Sequence, residues 1–183
     1  PKLELGDLKS VHRFKENNIC KLMAWVNQGW DIIAPVPSCV LMFKQELPLM
    51  FPEDAAVQAL RKHIFDPFEY LMALYKAGEL KTDFKVPLGD IAYHVACHQR
   101  VQNIGLKTKE ILQLIPDTRV EAIERCSGHN GTYGVKKQFH EIAVKIAKPV
   151  VNRVEQKSPC NYLTSDCPMA GQHIKQAMSK ELN

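Results

Sequence analysis

Six cysteines lie along a chain of 183 residues, and three of them stand where thiols do chemistry. Cys97 follows the apolar run 90–96 (DIAYHVA), Cys126 follows the run 119–124, and Cys167 follows 161–165. Each run has the length and apolar content of a short strand, so each thiol sits at a strand exit. The carboxyl ends of strands in an open parallel sheet share one edge, and ligands bind there. Thiols far apart in sequence converge at such an edge. Convergent thiolates hold soft metals, either zinc or an iron–sulfur cluster. A single cysteine is ordinarily a small buried apolar residue; the common placement of three is what singles these out. Cys20 falls within a helical pattern and Cys160 just ahead of a strand, so both read as core or surface thiols.

Histidines accompany the thiols. His98 follows Cys97 directly and His129 lies three residues after Cys126. Both are candidate fourth ligands or donors to sulfur. His94 reads as a structural hydrogen-bonder at a strand end, and Arg100 as a positive charge beside a thiolate-rich site. The loop 126–134 (CSGHNGTYG) is glycine-rich and opens a helix, but matches neither the dinucleotide fingerprint nor the P-loop. Gly128, Gly131 and Gly134 are expected to let the backbone turn tightly around a bulky group held by Cys126. A different chemistry on the same loop makes Cys126 a nucleophile with His129 as its base, although no third, orienting residue stands out.

The elements that must position these residues alternate. A helical pattern covers 7–28, with Leu8, Val11, Ile19, Leu22, Met23 and Val26 on one face, and a strand covers 31–36. Pro35 and Pro37 end that strand, and Cys39 follows. Helices are expected over 53–63 and 68–76. Residues 81–90 form a polar connection, so the domain boundary is expected after residue 80. Beyond it come a strand (90–96), a helix (107–115), a strand (119–124) and a helix (136–154) that Pro149 should kink. A strand (161–165) and a helix (168–180) close the chain. This order predicts an α/β fold, with parallel sheets flanked by helices. A weak internal repeat supports duplication: Gly6 and Gly134, like Cys39 and Cys167, are each 128 residues apart, within the order helix, strand, cysteine, helix.

Composition narrows the function classes. Hydrophobic residues make up 45% and charged residues 24%, which is globular. The net charge of +4 is too mild and dispersed for a nucleic-acid partner. No apolar run approaches the ~20 residues of a membrane helix. Six widely spaced cysteines in a chain long enough to bury a core read as reduced thiols in a cytoplasmic protein. Pro1 in place of methionine reads as the start of a fragment.

The motifs YHVACHQR (93–100), ERCSGHNGTYGVKK (124–137) and LTSDCPMAGQHI (163–174) resemble the cysteine-rich CCG domain. That domain occurs in tandem in the heterodisulfide reductase B subunit and in the C subunit of anaerobic glycerol-3-phosphate dehydrogenase, the type this chain resembles most. The stretches PKLELGD and DIIAPVPSCVLMFKQELP resemble parts of the first copy. The resemblance implies tandem Rossmann-like domains, the first incomplete (1–80) and the second whole (81–183). It implies an iron–sulfur cluster, of 4Fe-4S type, in an oxidoreductase component. Electrons would pass between a flavin dehydrogenase subunit or ferredoxin-type domain and a quinone or disulfide acceptor. It also implies attachment to the inner face of the cytoplasmic membrane through partners. Cys97, Cys126 and Cys167 match motif cysteines of the second copy, and Cys39 matches its counterpart in the first.

The sequence departs from the family pattern at two thiols of the second copy. Ser127 stands where Cys-Cys-Gly has its second cysteine, and Ala170 where Cys-x-x-Cys closes. Three thiolates then leave a fourth position for His98 or His129. The loss also leaves open a structural zinc site or a metal-free docking module.

Overall fold

The computed structural model describes residues 2–3, 5–156 and 160–179. Pro1 and the expected helix end at Lys180 lie outside the described residues. The chain divides into two compact units, Pro1–Pro67 and Phe68–Asn183. The division falls after Pro67, so the helix that begins there and the connection that follows it go with the second unit.

In the first unit, α1 (Leu8–Val26) starts at Asp7, whose carboxylate accepts the Ser10 N–H at 3.1 Å. Its buried positions Val11, Lys15 and Ile19 recur every four residues and form one stripe. Leu8, expected on that stripe, is exposed. β1 is only Ile32–Ile33. Pro35 and Pro37 supply no N–H to a ladder, so the expected strand stops early. Helical structure follows as α2 (Pro37–Leu41), a π-helical stretch (Met42–Glu46) and α3 (Leu47–Met50). α4 (Ala55–Leu60) is capped by Asp54, which accepts the Ala56 and Val57 N–H groups. β2 (Ile64–Phe65) pairs in parallel with β1. Val11, Ile19, Leu47, Val57 and Leu60 make the core.

The second unit begins inside the first turn of α5 (Pro67–Lys76), at Phe68. Then come β3 (Gly89–His94), α6 (Cys97–Val101), α7 (Lys107–Leu112) and β4 (Thr118–Ile123). α8 (Lys137–Gln156), β5 (Tyr162–Ser165) and α9 (Pro168–Ala177) complete it. The three strands form a parallel sheet in the order β4-β3-β5, which bears out the α/β reading. β3 is central, and its last four residues are buried, as a strand covered on both faces requires. Ile91, Tyr93 and Val95 pack with Val120, Leu106 and Leu112 on the α7 side. Ala92 and Ile123 pack with Val150, Val151, Val154 and Ile174, from α8 and α9. Alternate residues of β3 therefore feed two cores on opposite sheet faces. The strand order accounts for this: β3 to β4 and β4 to β5 run in opposite directions across the sheet, and crossovers that share one hand then put their helices on opposite faces. α8 continues through Pro149, whose ring removes one helical hydrogen bond.

Candidate functional site

Register brings the three strand exits together. His94 at the end of β3 pairs with Ile123 on β4 and with Ser165 on β5. Adjacent strands lie about 4.8 Å apart, so the three exits span roughly 10 Å of one sheet edge. Cys97 and Cys126 come three residues beyond this line, and Cys167 two. Cys97 opens α6 and is exposed. Cys126 is exposed in the loop after β4, and its sulfur accepts the Gly128 N–H at 3.4 Å. Cys167 is half-buried at the N-cap of α9, where the helix dipole favours negative charge. An open cleft of about 690 Å³ adjoins this edge, with Cys97, Arg100 and Glu124 in its wall. Arg100 pairs with Glu124 at 3.5 Å, both half-exposed. Such a pair adds little stability and leaves its charge at the surface.

His94 ties the loops together. It is buried, and its Nε2 lies 3.0 Å from the Arg125 carbonyl. A carbonyl only accepts, so Nε2 carries the hydrogen and donates. Nδ1 then accepts the Ser165 hydroxyl at 2.9 Å, and the serine oxygen accepts the Cys167 N–H at 3.4 Å. One neutral imidazole thereby links the segment before Cys126 to the segment holding Cys167. Burial pushes its pKa below the usual 6.5, which keeps it neutral. Beside it, Asp166 accepts hydrogen bonds from the Tyr93 and Thr108 hydroxyls. Burial raises the Asp166 carboxyl above its usual 3.8, against the pull of those two hydroxyls.

The remaining sequence candidates fall elsewhere. His98 is exposed on α6 beside Cys97. His129 is buried, and its ring centroid lies 6.2 Å from that of His173 on α9. Its pKa is lowered, first by burial and then by His173. Cys39 is exposed on α2 of the first unit. Cys20 is exposed on α1, and Cys160 lies half-buried ahead of β5 with its sulfur near the Tyr162 carbonyl. Ser127 is buried, its hydroxyl 3.5 Å from the His129 N–H.

Gly128 has a role other than the one expected. Its φ is +78°, and a Cβ there would stand 2.1 Å from the Ala143 carbonyl oxygen. The loop is pressed onto the backbone of α8, and only glycine permits that approach.

The donor chemistry suits an iron–sulfur cluster: soft sulfurs at one edge, one of them receiving a backbone N–H. Among the described residues, however, no three histidine, cysteine, aspartate or glutamate side chains are already drawn together as a metal-holding group. Asp166, His140 and His173 were not singled out from sequence as site residues. Their signal is weak, because each gains meaning only from a partner far along the chain.

No protein-family model matches the chain, and no solved structure does. Curated relatives do match. The chain is 27% identical over 153 residues to the C subunit of anaerobic glycerol-3-phosphate dehydrogenase from Escherichia coli (strain K12), with 83% of this chain and 38% of that relative covered. It is 30% identical over 122 residues to an uncharacterized iron-sulfur protein of Methanococcus maripaludis, covering 64% of this chain and 24% of the relative. At these low identities the chain is similar to an iron-sulfur protein and to a dehydrogenase subunit. It is also 26% identical over 133 residues to lactate utilization protein A of Lysinibacillus sphaericus, covering 68% of this chain and 56% of the relative. It spans little more than a third of the dehydrogenase relative's length. No helix among the described residues is long and apolar enough to cross a membrane.

Proposed function

We propose that this chain is an iron–sulfur electron-transfer component built on tandem CCG-type domains, the first of them incomplete. Cys97, Cys126 and Cys167 would hold a 4Fe-4S cluster. The observation that carries this reading is the register of β4, β3 and β5, which delivers three thiol-bearing segments to one sheet edge. When bound, the cluster supplies one-electron chemistry. The chain's own residues would tune it: the Gly128 N–H bonds the Cys126 sulfur, and the α9 N-terminus faces Cys167. His98, exposed beside Cys97, is our candidate for the fourth position, since His129 lies against His173. Cys39 would belong to a second, incomplete site. The donor would be a flavin dehydrogenase subunit or a ferredoxin-type domain, and the acceptor a quinone or a disulfide. Partner subunits would hold the cytoplasmic complex at the membrane surface.

The test is anaerobic reconstitution followed by iron and acid-labile sulfide quantitation, with EPR on the same samples. About four iron and four sulfide per chain are expected, lost in Cys97→Ser, Cys126→Ser and Cys167→Ser. Zinc alone, or no metal on a folded chain, overturns the proposal. That outcome favours a docking module, a reading supported by Ser127 and Ala170 standing where the family pattern has cysteines.

A further inference from the structure

We infer that Asp166 is the positioning residue for Cys167: its carboxylate ties the turn that carries the thiol to β3 and to α7. One oxygen accepts the Tyr93 hydroxyl and the other accepts the Thr108 hydroxyl, each at 2.5 Å. Tyr93 lies 73 residues before Asp166, and Thr108 lies 58 before it. One side chain thus joins three elements that are distant in sequence. What the thiol then does rests on the cluster proposed above; its placement by Asp166 does not.

The sheet shows why such a tie is needed at this exit. β5 is four residues long and forms one edge, in the order β4-β3-β5. The ends of short edge strands open readily, because few contacts hold their last residues. Cys97 leaves the central strand instead, whose last four residues are buried.

Successive side chains of a strand point to opposite faces. Ser165 turns to His94, on the face that packs with α8 and α9. Asp166 turns to Tyr93, on the face that packs with the α7 side. The strand end is therefore held from both faces of the sheet, immediately before the thiol. Tyr93 and Thr108 are both buried, so their hydroxyls need partners inside the protein. A carboxylate offers each of them its own acceptor oxygen. Both Asp166 oxygens face hydroxyls of the chain, so this residue acts through the turn rather than as a ligand itself.

The experiment is iodoacetamide labelling of the metal-free full chain at pH 7.5, with each cysteine followed by mass spectrometry. Asp166→Ala should raise the Cys167 rate about tenfold or more and leave Cys97 and Cys126 within about twofold of the parent. Asp166→Asn presents an oxygen and an amide in the same plane, and should keep the Cys167 rate within about twofold of the parent. Tyr93→Phe and Thr108→Val should each give a smaller rise, about threefold, at Cys167 alone. Neither should add to Asp166→Ala, because the shared partner is already gone. These two near-isosteric variants carry the test if Asp166→Ala does not fold. An unchanged Cys167 rate in Asp166→Ala overturns the inference. So do equal rises at all three thiols, which would make Asp166 a residue of general stability. A Cys167 rate in Asp166→Asn as high as in Asp166→Ala also overturns it, since charge and not hydrogen bonding would then hold the turn. Iron separates this inference from the cluster proposal. In reconstituted chains, Asp166→Ala should lose iron to EDTA faster than the parent. A parent chain that takes up no iron removes the cluster, and the labelling rates still decide what places Cys167.

Discussion

His94 and Ser165 face each other at paired positions of β3 and β5, and the serine hydroxyl donates to His94 Nδ1 at 2.9 Å. The same ring donates to the Arg125 carbonyl at 3.0 Å. A buried side chain of the central strand thus fixes the starting points of two cysteine segments. His94→Phe keeps an aromatic ring, slightly larger, but leaves both partners unpaired. The expected loss is about 2–4 kcal/mol in the second unit. Both tryptophans, Trp25 and Trp30, belong to the first unit and would not report it. Hydrogen exchange of β3, β4 and β5 is the measurement; native protection in the variant would refute the role.

Acid should weaken the second unit through the same residue. The folded pKa of His94 is depressed by burial. Its share of stability is complete above the unfolded value of 6.5 and is lost as pH falls through the folded one. Asp166 acts with the opposite sign, since its raised pKa makes its share fall as pH rises above 3.8. Urea midpoints read by circular dichroism should therefore drop between pH 7.5 and 5.5. His94→Asn should flatten that slope; an unchanged slope assigns the pH dependence to other groups.

Gly128→Ala should be among the more damaging single substitutions on the site loop. It sets a Cβ against the Ala143 carbonyl in a left-handed conformation. Strain of about 1–3 kcal/mol comes from the backbone alone, and the clash adds to it. The loop should lift from α8, and Cys126 should alkylate faster than in the parent chain. Equal alkylation rates and equal stability would show that the loop tolerates a side chain.

The first unit has its own buried charge. Lys15 is 5% exposed, bonds Asp54 at 2.6 Å and lies over the Phe51 ring at 4.7 Å. Burial pulls its pKa down, but the hydrogen bonds it donates to Asp54 and Glu16 together outweigh burial and leave it raised. Asp54 also caps α4, and its own pKa is lowered mainly by Lys15. Asp54→Ala removes a cap worth about 1 kcal/mol and leaves the ammonium with Glu16 alone. The expected loss is about 2–4 kcal/mol, read as a lower urea midpoint of tryptophan fluorescence. Lys15→Met should lose less, because the methionine fills the same space. The opposite ranking would mean that packing on Phe51, not charge, holds this corner.

By itself the sequence determined the three strands of the second unit, the helices that became α7 and α8, and the thiols at the strand exits, but not the short α6 that opens at Cys97. Those follow from local signals: short apolar runs, proline at helix starts, and helical periodicity. Set against the CCG pattern it resembles, it also has Ser127 and Ala170 at two of the five thiol positions. Only the tertiary structure decided that β3 is central and that His94, Ile123 and Ser165 share one register. Pairing between strands dozens of residues apart leaves no trace in either strand's own pattern. β1 and β2, two residues each, are too short to show periodicity, and the helical stretch after Pro37 is broken by a π-helical segment. The meaning of Gly128 came from a helix it meets fifteen positions later, at Ala143. His129 looked like a companion of Cys126 because the two are neighbours in sequence. Packing of α9 against α8 set it beside His173, and only close packing of distant helices could do that.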